Sequence, residues 1–266
     1  WVKDQGKSII KLTMATADAP RDVKLEKNQL IAWQDTAHAA AGVNCTDCHN
    51  VKDEPTGNLI WKDNPGYATC KTCHKDEVHD FLGSRHGMRL DQGLSPMTPG
   101  MARLPMLDTA RDIQMTCNSC HSAHSFDTQF AAMSACMQCH ADEHTLSFKN
   151  SAHHDAWLDE IAGVGAAGSG VSCATCHLPR VQQKVEGKMQ TSVMHNQNDF
   201  LRPNEKMLRP VCMQCHGLPF AIDALADRKL IDSNFSDQPA GKHHQPSSFD
   251  MLKQKMNLEH KEKNKH

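Results

Sequence analysis

The sequence predicts a mostly α-helical chain with extensive irregular loops and little or no β structure, and three observations carry that expectation. No stretch alternates Val, Ile or Thr over a useful length, so strand signals are almost absent. The Ala, Met, Gln and Lys content favours short helices instead. Finally, only 39% of the 266 residues are hydrophobic and 5% aromatic, which is thin for a conventional side-chain core at this length. Something other than side chains must supply the missing apolar mass.

Taken in order along one domain, residues 1–32 read as an N-terminal extension, 33–220 as the core, and 221–266 as C-terminal helices with a polar tail. Three core segments share a pattern: W-Q-D-T-A-H from Trp33 to His38, F-L-G-S-R-H from Phe81 to His86, and F-K-N-S-A-H from Phe148 to His153. Each has an aromatic residue five before the histidine and a Ser or Thr two before it. Their composition permits helix, a stiff way to present an imidazole. Between them lie expected loops: Ser95 to Pro105 carries three prolines, and Gly163 to Gly170 is a glycine and alanine run that cannot pack a side-chain core. Helices are expected over Ala221–Leu230 and Ser248–Leu258, with Lys261–His266 solvated.

Cysteine usage explains the missing core. All 12 cysteines fall in six Cys-x-x-Cys-His motifs. The sets are Cys45, Cys48 and His49; Cys70, Cys73 and His74; Cys117, Cys120 and His121; Cys136, Cys139 and His140; Cys173, Cys176 and His177; and Cys212, Cys215 and His216. Two thiols at this spacing add across the two vinyl groups of one porphyrin edge, and the next imidazole reaches the iron as proximal ligand. Zinc sites also use Cys-x-x-Cys, but tetrahedral zinc does not require a histidine directly after every pair. With 18 histidines in 266 residues, finding one after all six pairs by chance has a probability of roughly 10⁻⁷. The expected cofactors are therefore six covalently bound haem c groups, packed as a chain that organises the fold. Motif spacing is uneven, so this is not an array of one fixed-period unit.

Six proximal histidines leave twelve of the eighteen, enough to complete every iron with a second imidazole. His38, His86 and His153, from the repeated pattern, are the first distal candidates. His124 and His195 follow, each near a motif in a segment expected to press on a porphyrin. His79, His144, His154, His243 and His244 rank below them, and His260 and His266 are expected in solvent. The 14 methionines are read as packing residues rather than ligands.

The order of these features resembles the hydroxylamine oxidoreductase family of multihaem cytochromes. The run from Trp33 through G-V-N-C-T-D-C-H at His49 is similar to that family's approach to its second haem. Cys70 to His86 is similar to the next haem and its distal segment. The nearest likeness is Cys117 to His153, which reads C-N-S-C-H-S-A-H-S-F, C-M-Q-C-H-A-D-E-H and F-K-N-S-A-H. The later G-V-S-C-A-T-C-H-L-P and C-M-Q-C-H segments keep the family order. The resemblance implies that the third motif holds a five-coordinate reaction centre, with Glu143 and His144 as catalytic residues on its distal side. This sequence carries two fewer motifs than the octahaem members, has Glu143 in place of an aspartate, and has its single tyrosine at Tyr67 rather than near the C-terminus. Without the family's crosslinking tyrosine, hydroxylamine oxidation is not expected.

A net charge of -2 with both signs interspersed gives no basis for nucleic-acid binding or a strongly basic membrane surface. No run of about 18 apolar residues predicts a transmembrane segment. The chain begins at Trp1, consistent with a removed export signal, and covalent haem attachment implies the periplasm or cell exterior. The expected function is electron transfer along six haems between redox partner proteins, with a homo-oligomer or filament as a variant in which copies of the chain extend the conduit. The alternative is reduction of nitrite, hydroxylamine or a related small nitrogen oxide at an open third haem.

Overall fold

The computed structural model describes residues 10–185 and 187–240. The expected helix Ser248–Leu258, the tail from Lys261, and His243, His244, His260 and His266 lie outside them. Described residues form short helices joined by long irregular segments, with two small antiparallel hairpins as the named strands. The chain divides into two compact units: residues 1–142 with 172–199, and residues 143–171 with 200–266. No helix among the described residues is long and apolar enough to cross a membrane.

In the first unit, the helices Lys27–Gln34 and Lys75–Gly83 are the longest, and each buries one apolar residue, Trp33 and Val78 respectively. Asp76 and Glu77 occupy the first turn of the second helix, where the macrodipole favours negative charge. Other buried apolar side chains in this unit are Ala39, Ala110, Met115 and Ala135, while Met88, Leu94, Met101 and Leu104 are half or more exposed. So thin a side-chain core, beside so much exposed apolar surface, is what a chain shaped around large apolar groups should show.

Two short hairpins make up the named strands, in keeping with the expected scarcity of β structure. Asn50–Lys52 pairs with Leu59–Trp61, and Arg180–Val185 pairs with Lys188–Val193 in register Val185 to Lys188. Gly187, at φ 83, supplies the left-handed turn that lets a two-residue connection match the strand twist. No hairpin was read from the sequence around this turn. Its flanks carry Gln and Lys, so hydrophobic alternation was weak.

The second unit gathers the helices Glu143–Ser147, Ala152–Ile161, Leu218–Ala226 and Arg228–Asp232. Its buried apolar residues are Phe148, Met207, Ala221, Ala224, Leu225 and Leu230. The Gly163–Gly170 loop is tied to the preceding helix by Glu160, whose carboxylate accepts from the Gly168 and Gly170 amides. Ala221–Leu230, expected as one helix, is broken at Asp227. That residue turns extended (φ -87, ψ 98) and its carboxylate accepts from the Leu230 amide, an N-cap that starts a second helix.

The three segments expected as continuous helices are broken as well, each at its Ser or Thr. Thr36, Ser84 and Ser151 are extended, with ψ of 161°, 167° and 150°. Trp33 and Phe81 therefore end one helix, Phe148 opens a single 3₁₀ turn, and the histidine begins the next turn or helix. The polar hydroxyl competes with backbone pairing more strongly at a helix end than inside one. After His86 the backbone returns so closely that a Cβ on Gly87 would stand 2.1 Å from the Phe81 carbonyl oxygen. Gly87→Ala is therefore expected to destabilise the protein by at least about 2 kcal/mol, measured by urea unfolding, because the obstacle is backbone and cannot rotate aside.

Candidate metal centres

Every Cys-x-x-Cys-His motif forms one helical turn. Cys45–His49 and Cys173–His177 are short α-helices. In the others the histidine amide donates to the first cysteine carbonyl: His74 to Cys70, His121 to Cys117 and His216 to Cys212 at 2.9 Å, and His140 to Cys136 at 3.0 Å. Residues i, i+3 and i+4 share one face of such a turn, so both thiols and the imidazole point the same way. The residue before the second cysteine helps to fix three of these turns. Asp47, Ser119 and Thr175 each accept from the backbone N–H of the residue preceding their motif, at 2.7, 3.0 and 3.0 Å. A π-helical turn, Phe130–Ser134, leads into the fourth motif.

Opposite five of the proximal histidines stands a second imidazole. In the first unit the ring centres are 5.9 Å apart for His49 and His124, 6.1 Å for His74 and His38, 6.2 Å for His121 and His195, and 6.2 Å for His140 and His86. In the second unit His216 and His153 are 6.1 Å apart. Rings in van der Waals contact stack closer than this. A metal–imidazole bond of about 2 Å on each side, with roughly 1.1 Å from each nitrogen to its ring centre, puts two axial ligands about 6.2 Å apart. Among the described residues no three or more His, Cys, Asp or Glu side chains converge on one point as a zinc cage would require. The donors present paired thiols and facing imidazoles, which suit a covalently attached iron porphyrin.

Burial favours the neutral form of six of those imidazoles. Burial pushes His86 and His121 down to about 4, with the facing histidine adding to the effect. Burial and the partner ring also lower His38, His124 and His153. Burial lowers His140 too, partly opposed by Asp142. A neutral ring retains the lone pair that a metal needs. Several outer nitrogens are also fixed: His49 Nδ1 lies 2.6 Å from the Lys62 carbonyl and His195 Nδ1 2.9 Å from that of Val193. Donation there leaves Nε2 free for iron. His121 Nδ1 is buried without a partner. Aromatic rings stack on three proximal imidazoles: Trp61 on His49 at 4.5 Å, Phe126 on His121 at 5.2 Å and Phe220 on His216 at 4.9 Å.

Thiols of successive motifs also meet within the first unit. Cys48 lies near Cys70 and Cys73, and burial with these neighbours pushes its thiol up to about 11. The thiols of Cys70 and Cys117 lie close together, as do those of Cys136 and Cys173. Cys120, likewise pushed up to about 11 by burial, neighbours Cys136 and Cys139. The first five motifs thus form an unbroken succession.

The remaining sequence candidates are placed differently. In the second unit His144 Nδ1 is 2.5 Å from the Ile231 carbonyl, and Asn234 donates to the His144 carbonyl at 2.8 Å. Glu143 is exposed at the start of its helix. His79 is solvent-exposed, and His154 packs edge-on against Phe148. Trp61, Phe126, Phe220, Asn234 and Gln197, whose amide nitrogen lies 3.3 Å from His86 Nδ1, were not singled out from sequence. Only Phe126 and Phe220, four or five residues after their proximal histidine, left a signal.

These turns, with paired thiols and a histidine on one face, define a protein that holds haem covalently. It is a multihaem c-type cytochrome. Residues 38–79 match the family model described as the doubled CXXCH motif, and residues 69–134 that of cytochrome c554 and c-prime. A stretch of 72 residues, 24% of the chain, is 33% identical to cytochrome c nitrite reductase subunit NrfA of Nitratidesulfovibrio vulgaris, and spans 14% of that protein.

Two outcomes are expected from this geometry. Asn234, buried and at φ 51, holds His144 from a strained backbone, so Asn234→Ala should cost about 1–3 kcal/mol in thermal unfolding. The rings of His49 and His124 are nearly parallel at 7°, whereas the other four pairs are twisted by 50–74°. Electron paramagnetic resonance of the oxidised protein should therefore show one ordinary rhombic low-spin signal beside several highly anisotropic ones with large maximum g values.

Proposed function

We propose that this chain is a hexahaem electron conduit, with one haem c on each motif, exported to the periplasm or cell exterior and exchanging electrons with redox partner proteins or further copies of itself. The observation that carries the reading is the set of five imidazole pairs at axial-ligand spacing, including His195 opposite His121. Saturated iron suits electron transfer, because no ligand need leave for the metal to change oxidation state. When bound, the haem irons supply the one-electron ferric/ferrous couple.

The protein's part follows from its own residues. Paired thiols would fix each porphyrin edge, and the nearness of cysteines from the first motif to the fifth would place successive edges close together. The facing imidazoles would bind the irons, burial favouring the neutral form of six of them, and carbonyls at Lys62 and Val193 fix the orientation of His49 and His195. Kinship with the hydroxylamine oxidoreductase family remains part of this reading and rests on motif order. His144 and Glu143 would act in catalysis only beside an open iron, and the His121–His195 pair favours the conduit.

Intact mass and the pyridine haemochrome spectrum should give six haems per chain; fewer would overturn the hexahaem reading. Nitrite or hydroxylamine should leave the low-spin resonance signals unchanged. A high-spin signal that either ligand converts to low spin would favour the reductase instead. His195→Ala is expected to create such a signal from one haem, with all six still attached.

A further inference from the structure

The repeated aromatic-x-x-Ser/Thr-x-His pattern does more than mark histidines. In all three copies the hydroxyl closes the same loop of hydrogen bonds. Ser84 Oγ donates to the Phe81 carbonyl at 2.6 Å and accepts from the His86 and Gly87 amides at 3.2 and 3.3 Å. Thr36 Oγ1 donates to the Trp33 carbonyl at 2.7 Å and accepts from Ala39 at 3.3 Å. Ser151 Oγ donates to the Phe148 carbonyl at 2.7 Å and accepts from His154 at 3.2 Å. The aromatic carbonyl receives a second bond each time, from the amide of the same Ser or Thr, at 2.9–3.0 Å. All three hydroxyl residues are buried, with exposures of 7% for Thr36, 0% for Ser84 and 1% for Ser151.

We propose that Thr36, Ser84 and Ser151 are positioning residues whose hydroxyl clasps set the orientation of the distal imidazoles of His38, His86 and His153 at the second, fourth and sixth haems. The inference rests on reading those histidines as axial ligands. Its logic is local. A side chain two residues before the histidine ends one helical turn and caps the next, so the histidine backbone is anchored to the preceding aromatic, which is buried at Trp33 and Phe148 and half-buried at Phe81. Backbone direction then fixes the ring. His124 and His195, facing the first and third motifs, lie outside any such pattern. The clasp therefore distinguishes alternate haems.

The fourth haem gives the sharpest case, because Ser84 is fully buried and Gly87 forbids the loop to relax. Removing the hydroxyl takes the acceptor from two amide donors, one of them in a buried residue. The test compares haem-loaded wild type, His86→Ala, Ser84→Ala and Ser84→Thr by low-temperature electron paramagnetic resonance and redox titration, with haem count checked by intact mass. His86→Ala should convert one low-spin haem to high spin. Ser84→Ala should shift or partly lose that same low-spin signal and move one midpoint potential, and Ser84→Thr should restore both. Thr36→Val, which keeps shape and removes only the hydroxyl, should do likewise at the second haem; it carries the test alone if Ser84→Ala fails to fold.

Unchanged spectra in Ser84→Ala, where His86→Ala changes them, would overturn the clasp and leave the ligand reading intact. Equal disturbance by Ser84→Ala and Ser84→Thr would overturn it too, assigning the effect to packing. An unchanged spectrum in His86→Ala would instead sink the axial assignment beneath it.

Discussion

The spacing of five facing imidazole pairs, about 6 Å between ring centres, is the constraint on which the rest of this structure depends. One ring of each pair comes from a motif turn, where the thiol spacing of the porphyrin dictates its place. The other comes from 36 to 75 positions away: His38 and His74 are the nearest such pair in sequence, His49 and His124 the farthest apart. Helices, breaks and hairpins can be understood as means of delivering the second ring. The hairpin Asn50–Lys52 with Leu59–Trp61 brings the Trp61 indole and the Lys62 carbonyl to His49, and Arg180–Val185 with Lys188–Val193 carries the chain back to His195.

Neutrality is the second condition. Two facing imidazoles in a poorly solvated space cannot both be protonated, and burial already drives His86 and His121 well below their solution values. The arrangement thus favours a metal over protons before any metal is considered. Outer-nitrogen donation to a carbonyl then selects the tautomer, so a short strand end such as Val193 has electronic as well as geometric weight.

Much of this was legible in the sequence, for a physical reason. Porphyrin attachment imposes a rigid local spacing, so the six helical turns of the Cys-x-x-Cys-His motifs could be read directly, as could the predominance of helix and the loop at Gly163–Gly170. The facing rings were harder, since they depend on long-range packing. The aromatic and hydroxyl signature still picked out His38, His86 and His153, but its meaning was misread as continuous helix. A Ser or Thr inside a run of good helix formers looks tolerable by propensity, whereas the buried hydroxyl, bonded on both sides, ends the helix. Asn234 and Gln197 left no local trace at all: each matters through a histidine about 90 or more positions away in the chain.

The sparse interior has one more consequence. Trp33, Val78, Met115, Phe148 and a few smaller residues are too little to hold a chain of this length together by side-chain burial. An ordinary ligand that filled the gap would stabilise only in proportion to the logarithm of its free concentration, and dilution would strip it away. Thioether-linked haem escapes that mass-action law. Its apolar surface belongs to the polypeptide as permanently as a leucine's, so the fold is indifferent to how much free haem surrounds it.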